Sequence, residues 1–219
     1  GFVRAIRETL SLPPNPPEID LDWASYSGKK RRLPWFLLAI FILAGNGVRI
    51  FMQAAEGHTE GRLYTRKVLQ TLGLSIAHSF DEAADHIRAR NFAFLPLADL
   101  SPPLQRIIAL KSVLGLRTPM NTFARMINPF SAPYEIQCVF HPAYRDIHRQ
   151  TARILGQPHM AVFKGEGGEI ERRPHKSVLV ESLNDGKLSE EEWPPLMKTV
   201  ETLNQEDEMD ISRLSALWR

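Results

Sequence analysis

Residues 25–47 read SYSGKKRRLPWFLLAIFILAGNG, in which four consecutive cations are followed directly by a long apolar run. A small turn, Ser27-Gly28, precedes the cations Lys29-Lys30-Arg31-Arg32, whose side chains and backbone N–H groups suit a phosphate ligand. Residues 33–44 are apolar and predict a helix that is buried on nearly all sides and has Pro34 at its first position. This run is shorter than the roughly 20 residues of a membrane span. We therefore predict a cationic turn held against the protein core.

Length and composition are those of an ordinary globular chain. The 219 residues suffice for one good core, and 43% are hydrophobic and 24% charged. Cys138 is the only cysteine, which excludes a disulfide framework and argues against a cysteine-based metal site. Together with the lack of a recognisable secretory signal, this predicts a reducing, cytoplasmic location.

Charge is distributed unevenly along the chain. The formal net charge is +2, yet residues 1–184 hold 23 Lys and Arg against 16 Asp and Glu, a net charge of +7. Nine acids lie between Asp185 and Asp210. The body is therefore basic and the segment 185–210 acidic.

Helix-like and strand-like segments alternate. Helices are predicted at 1–10, 33–44, 64–72, 80–90, 102–114, 120–127 and 142–155. Strands are predicted at 48–52, 92–97, 135–140, 160–163 and 177–180. This alternation predicts an α/β fold with a mostly parallel central sheet flanked by helices on both faces. A helical segment and proline-rich linker, 1–19, would precede this domain, 20–219, which would include the acidic C-terminal segment 185–210.

Ligands of such sheets bind outside the carboxyl ends of the strands, and three loops with glycine and charge are expected there. They are residues 25–32, 53–62 and 164–173. The first loop offers four cations for phosphate, although a solubilising basic run has the same composition. We name Gly28, Lys29, Lys30, Arg31 and Arg32 as its candidates.

The second loop carries His58 beside acids and a helix start. Helix N-termini accept phosphate readily, and Arg62 and Arg66 are spaced to lie one turn apart on one helix face. Thr59 is a candidate N-cap. His58 is otherwise a capping or packing residue.

The third loop reads KGEGGEIERRP and mixes acids with cations. Paired carboxylates in a glycine-rich loop suit Mg²⁺ and a substrate pyrophosphate, but alternating charge equally fits a hairpin. The residues concerned are Lys164, Glu166, Glu169, Glu171, Arg172 and Arg173. The sequence contains no Walker-type loop, no GxGxxG after a first strand, no nucleophile elbow and no HExxH.

A motif in the middle of the chain resembles a known family. Leu114-Gly115-Leu116-Arg117-Thr118, followed by Asn121 and Ile127-Asn128-Pro129, is similar to the LGxRTxxNxxxxxxNP signature of the anthranilate phosphoribosyltransferase and nucleoside phosphorylase family, glycosyltransferase family three. The resemblance extends from about Asp20 to about Glu181 and implies an α/β domain joined to a small helical domain that forms a homodimer. Little sequence precedes Asp20, so it also implies that the helical domain is largely missing, with residues 1–19 as its remnant. That leaves the homodimer open.

The sequence departs from the family pattern at its functional motifs. The place of the GTGGD loop, which cradles the pyrophosphate of phosphoribosyl pyrophosphate, is taken by residues 28–32. The KHGNR segment falls on residues 51–55, where nothing of it remains. The Asp-Glu metal pair falls near Ile170-Glu171, with Glu169 as a substitute for the lost acid, and the arginine that holds the anthranilate carboxylate falls on Lys111.

These departures resemble a divergent branch of the family that binds nucleic acid and lacks the biosynthetic activity. The resemblance implies sequence-independent binding of DNA, single-stranded or double-stranded, by a homodimer, and the basic body supplies the electrostatic attraction. We expect no catalytic residue, metal or cofactor, and Tyr26, Trp35 and Tyr64 are candidates for stacking on bases. The expected phosphate-binding residues are Gly28, Lys29, Lys30, Arg31, Arg32, His58, Thr59, Arg62, Arg66, Arg117, Lys164, Arg172 and Arg173.

Two other functions remain open. One is a Mg²⁺-dependent phosphoribosyltransferase with an unknown aromatic acceptor, in which residues 29–32 bind pyrophosphate, Glu169 and Glu171 bind the metal, and Arg117 lies on the acceptor side. The lost GTGGD loop argues against it, because backbone donors held in place are what stabilise developing charge. The other is a regulatory module that senses a nucleotide.

Overall fold

Seven strands form one sheet in the computed structural model, which describes residues 1–57, 60–116, 118–198 and 209–218. The strands are β1 (Leu21–Ser25), β2 (Ile50–Ala54), β3 (Phe92–Pro96), β4 (Tyr134–Val139), β5 (His159–Lys164), β6 (Val178–Asn184) and β7 (Lys187–Trp193). Their order across the sheet is β3-β2-β1-β4-β5-β6-β7. The first five strands run parallel, and β6 and β7 are antiparallel. The predicted mostly parallel sheet is confirmed.

The described residues contain helices on both sides of this sheet. They are α1 (Phe2–Glu8), α2 (Phe36–Gly45), α3 (Thr65–Thr71), α4 (Phe80–Arg90), α5 (Leu97–Leu100), α6 (Pro102–Ala109), α7 (Lys111–Leu114), α8 (Met120–Phe123), α9 (Tyr144–Leu155) and α10 (Ile211–Trp218). Short 3₁₀ turns follow α8 and β5. None of the helices described is long and apolar enough to cross a membrane.

Strand periodicity separates two hydrophobic cores. In β2, Ile50 and Met52 point to the core that contains α2, α3 and α10, whereas Phe51 points to the core that contains α4, α5 and α6. Successive side chains of a strand face opposite sides of a sheet, so a strand covered on both faces is apolar at almost every position. The sheet therefore holds its central strands rigidly, and the loops at their carboxyl ends are anchored to it.

The helix predicted at 33–44 begins later than expected. Pro34 lies before the helix, Trp35 is its N-cap, and α2 starts at Phe36. Leu33 and Leu37 are nevertheless fully buried, so the cationic turn is pinned to the core as predicted.

The acidic segment holds an unexpected strand. Residues 185–210 contain β7, which pairs with β6 through a turn at Asp185-Gly186, where both residues have positive φ. The run of glutamates gave no strand signal, because Glu has a low strand propensity and β7 is mostly exposed. The strand predicted at 177–180 extends to Asn184 as β6.

Candidate phosphate-binding cleft

The loops after β1 and β5 meet at the carboxyl edge of the sheet. Oε1 of Glu169 accepts hydrogen bonds from the backbone N–H groups of Ser27 and Gly28, each at 2.6 Å. The Ser27 hydroxyl donates to the backbone oxygen of Gly168 at 3.0 Å. A carboxylate of the protein thus occupies the backbone donors at the start of the cationic turn.

Glu169 is a buried acid with a buried cation nearby. Burial raises the pKa of Glu169, and the Arg125 guanidinium and the two N–H groups oppose that rise. Arg125 is also buried and donates to the Ser27 hydroxyl at 3.0 Å. This arrangement fixes the two loops against each other.

Glycine makes the close approach of these loops possible. Gly28 has φ of +65°, and a Cβ there would lie 3.0 Å from ring atoms of Tyr64. A Cβ on Gly165 would lie 1.8 Å from the backbone oxygen of Glu169 and 2.1 Å from Cys138 Sγ. Both positions therefore require glycine, one for its backbone conformation and the other for space.

Lys29 and Glu171 form a second link between the loops. The Lys29 ammonium lies 2.9 Å from Oε1 of Glu171, and only 3% of the lysine side chain is exposed. Oε2 of Glu171 accepts the N–H of Phe36 at 3.3 Å, at the first turn of α2. Lys29 thus holds the loop, although it was predicted to contact phosphate directly.

The second loop joins the first through backbone and side chain. Lys29 and Leu63 exchange backbone hydrogen bonds at 2.9 and 2.7 Å. The guanidinium of Arg62 donates to the backbone oxygens of Ser27 and Gly28 at 3.0 and 2.9 Å. All three predicted loops therefore converge, as the rule for open α/β sheets predicts.

A cleft of about 660 Å³ opens between these loops and the start of β6. Its described lining contains ten cationic side chains and a single acid, Glu166, which is ion-paired with Arg173. That ion pair lowers the pKa of Glu166. The ten cations are Lys29, Lys30, Arg31, Arg32, Arg62, Arg145, Lys164, Arg172, Arg173 and Lys176. We call this site the cationic cleft.

Most of the candidate cations from the sequence lie in the cationic cleft, but some do not. Arg66 is ion-paired with Glu56 at 2.7 Å and lies 3.7 Å from Asp99, outside the cleft lining. It does not share a helix face with Arg62, because α3 begins only at Thr65. Gly28 does not line the cleft: its N–H donates to Glu169 and its carbonyl oxygen accepts from Arg62. His58, Thr59 and Arg117 lie outside the described residues.

Sequence reasoning missed several residues of the site. Arg145 on α9, Lys176 and Phe140 line the cleft, and Arg125 supports it from below. Phe140 had a usable signal: it is the first residue after β4, at the carboxyl edge where ligands bind. The sequence contains no comparable signal for Arg125 or Arg145, because only the tertiary fold brings their helices to the loops.

The aromatic residues predicted to stack on bases are placed differently. Tyr26 is buried, and its hydroxyl donates to Oε1 of Gln53 at 3.0 Å. Trp35 and Tyr64 are partly buried, and neither lines the cationic cleft. The exposed aromatic side chain of the cleft is Phe140.

The carboxylates predicted to bind Mg²⁺ bind groups of the protein instead. Glu169 accepts two backbone N–H groups, and Glu171 binds Lys29 and the N–H of Phe36. A metal ion bound to the engaged oxygens would have to displace Lys29 or the N–H donors, whereas Oε2 of Glu169 is buried without a hydrogen-bond partner and has an open acceptor site. No group of three or more His, Cys, Asp and Glu in the described ranges is arranged to hold a metal ion. Three of the four carboxylate oxygens of Glu169 and Glu171 are therefore already engaged by protein groups.

A second polar cluster is formed by side chains of β1, β4 and α9. Asp22 and Glu135 face each other in the parallel register of β1 and β4, and both are fully buried. Burial raises the pKa of Asp22 to about 7, and burial together with the Asp22 charge raises the pKa of Glu135 to about 8. The amide of Gln137 donates to Glu135, and its oxygen accepts from Nδ1 of His148. These residues do not line the cationic cleft.

Comparison with known proteins places this fold in a family. Residues 37–210 match the family described as "Glycosyl transferase family, a/b domain". Anthranilate phosphoribosyltransferase of Burkholderia ambifaria is 30% identical over 157 residues, which cover 72% of this chain and 46% of that protein. The Ralstonia pickettii enzyme of the same name is 28% identical over 157 residues, 72% of this chain and 45% of that protein. The chain thus spans about half the length of the curated relatives it matches.

Solved structures share the fold. Anthranilate phosphoribosyltransferase from Thermus thermophilus superimposes with a TM-score of 0.74 at 20% identity, over 99% of this chain and 65% of that one. The enzyme from Saccharomyces cerevisiae in complex with PRPP and Mg gives a TM-score of 0.75 at 16% identity, over 99% of this chain and 59% of that one. Since the family match covers most of the sheet and its helices, this chain belongs to the glycosyl transferase family and carries its α/β domain.

Proposed function

We propose that the cationic cleft binds the phosphates of nucleic acid without strong sequence preference. The observation that carries this proposal is the excess of cations in one cleft: its described lining has ten cations and one acid, and ion pairs engage Lys29, Arg145 and Arg173 among the ten. Nucleic acid presents closely spaced phosphates, and cations that neutralise them release counterions and gain affinity. Phosphates are common to every sequence, so contacts to them position a strand but do not read its bases. DNA is the nucleic acid that the resemblance implies.

The occupied backbone donors support binding rather than catalysis. The N–H groups of Ser27 and Gly28 are engaged by Glu169, so a ligand meets side chains such as those of Lys30 and Arg31. Flexible side chains bind a polyanion well. They are a poor substitute for backbone donors held in place to stabilise charge that develops during a reaction.

The test is a parallel titration of one preparation with a labelled oligonucleotide and with phosphoribosyl pyrophosphate. We expect saturable oligonucleotide binding that is similar for several unrelated sequences. Displacement of the oligonucleotide by phosphoribosyl pyrophosphate at much lower concentration than by another oligonucleotide would contradict the proposal. The same displacement assay identifies a nucleotide sensor, because a free nucleotide would then compete as strongly as an unlabelled oligonucleotide.

Phosphoribosyl transfer is the second candidate. Membership of the glycosyl transferase family favours it, as do the relatives named anthranilate phosphoribosyltransferase. Under this proposal Mg²⁺ would be required, and Glu169 and Glu171 would have to exchange their present partners for the metal. We expect no consumption of phosphoribosyl pyrophosphate above background with Mg²⁺ and anthranilate. Turnover near the common range of about 1 to 1000 per second would establish the enzyme instead.

A further inference from the structure

Phe140 combines high exposure with a position inside the cationic cleft. Its side chain is 53% exposed, and it lines the cleft together with Val178 and Leu179. A cleft built only for phosphate has no use for an apolar wall, because phosphate oxygens gain nothing from contact with an aromatic ring. The wall suits a ligand that carries a flat, weakly polar group next to its phosphates.

Phe140 lies next to His141 and to the loop after β5. The ring contacts that of His141 at 4.9 Å between centroids, with an interplanar angle of 80°. On the other side lies Gly168, where an added Cβ would be only 3.7 Å from the Cβ of Phe140. The loop after β5 thus passes Phe140 without a side chain between them.

Cations surround this wall. Lys30, Arg31, Lys164 and Lys176 are exposed and line the same cleft. A volume of about 660 Å³ lies in the range that takes a drug-sized ligand, comparable to a mono- or dinucleotide. Paired bases of a duplex are stacked on each other and closed to such a wall, whereas unpaired bases present a free face to an aromatic ring.

We propose that Phe140 stacks on an unpaired base, which makes single-stranded nucleic acid the preferred ligand of the cleft. This inference rests on the proposed function and specifies its ligand. Cations hold the phosphates of the strand while the ring of Phe140 takes a base, and every base offers an aromatic face, so the contact is tolerant of sequence. An inorganic polyanion would use the cations alone.

The experiment uses oligothymidylate of about 12 nucleotides, a length within the site sizes of single-strand binders, an abasic strand of the same length and a matching duplex. Wild-type protein should bind oligothymidylate more tightly than either of the others. Phe140→Ala should weaken oligothymidylate binding by about five- to 150-fold and leave abasic-strand binding within about twofold. Phe140→Trp should restore the preference, which a merely structural role of the ring would not predict.

Tyr134→Ala is the matched control. Tyr134 lies at the opposite end of β4, is also 53% exposed and does not line the cleft. The Tyr134→Ala variant should bind all three probes like wild type, and thermal unfolding should confirm that each variant is folded. Equal wild-type affinity for oligothymidylate and the abasic strand, or unchanged binding by Phe140→Ala, would overturn this inference alone. Failure of the wild type to bind any probe would overturn the proposed function as well.

Discussion

Gly165 follows β5 directly and has no room for a side chain. An alanine there would place its Cβ 1.8 Å from the backbone oxygen of Glu169, so the backbone would have to move. We expect Gly165→Ala to lower the free energy of unfolding by about 2 kcal/mol or more, as overpacked substitutions do. Urea titration measures the change.

Gly45 is the control for this substitution. It is the last residue of α2, and an added Cβ would meet nothing within 4 Å. Gly45→Ala should therefore be neutral or stabilise by up to about 1 kcal/mol, since alanine favours a helix over glycine. Equal destabilisation by both substitutions would contradict the packing argument.

Glu169 is the residue on which the junction of the first and third loops depends. Glu169→Ala leaves two backbone N–H groups without their acceptor and Arg125 without its nearby opposite charge. A buried donor left without its acceptor costs about 1 to 3 kcal/mol, so the loss of the acceptor for both N–H groups should cost about 3 kcal/mol. We expect a loss of that size in urea unfolding.

Two comparisons define the cause of this loss. Glu169→Gln keeps one acceptor oxygen and should lose less than Glu169→Ala. Glu192→Ala, at an exposed glutamate of β7, should stay within about 0.5 kcal/mol of wild type. If Glu169→Ala unfolds like wild type, the carboxylate does not hold the loops together.

Among the elements, β1 and β4 carry a pH-dependent contribution to stability. Asp22 and Glu135 are buried with their pKa values raised to about 7 and 8, and Arg7 attracts both charges. The folded protein therefore holds more protons than the unfolded chain between about pH 4 and 7. The contribution of Asp22 is fully present below about pH 4 and is lost as pH rises through about 7.

Asp22→Asn should remove the part of this dependence that Asp22 contributes, while burial still raises the pKa of Glu135. The free energy of unfolding of wild type, relative to that of the variant, should fall by up to about 1.4 kcal/mol per pH unit across that window. Burial lowers the pKa of His148 to about 3 and gives a slope of opposite sign, but His148 is common to both proteins and cancels in the difference. Urea titrations at several pH values measure it, and a difference that does not change with pH would contradict the raised pKa of Asp22.

At the scale of the whole molecule, the proposed function predicts strong dependence on salt. If about four to six phosphates of a single strand are neutralised, log K should fall against log salt with a slope of about −3 to −4. Lys30→Glu with Arg31→Glu should weaken binding by about tenfold or more at low salt and make the slope about 1.4 shallower. Fluorescence titration of a labelled strand at several salt concentrations measures both quantities.

The matched control reverses two exposed arginines elsewhere. Arg106 on α6 and Arg153 on α9 do not line the cationic cleft, so Arg106→Glu with Arg153→Glu changes the net charge equally. This variant should bind nearly like wild type. An equal loss in both double variants would mean that overall charge, rather than the cleft, governs binding.

The pattern of apolar and charged residues predicted the fold class and most of the cleft cations. The apolar strands Ile50–Ala54 and Phe92–Pro96 predicted a sheet covered on both faces, whereas the run 33–44 is buried on one side only, with Ile42 62% exposed. Because ligands of open α/β sheets bind outside the carboxyl ends of the strands, the three loops expected there could be named from the sequence. The helix bounds were only approximate, and two strands were missed: β1 at Leu21–Ser25, and β7, whose glutamates conceal a strand that pairs with β6.

The role of each charged residue depends on its tertiary contacts. Lys29 and Lys30 are neighbours in sequence, yet one is buried against Glu171 and the other is exposed in the cleft. Such roles depend on side chains more than 100 residues away along the chain, which no local pattern records. Packing also buried Tyr26, exposed Phe140 and turned Glu169 onto backbone donors, because the sheet brings the ends of β1, β4 and β5 to one edge.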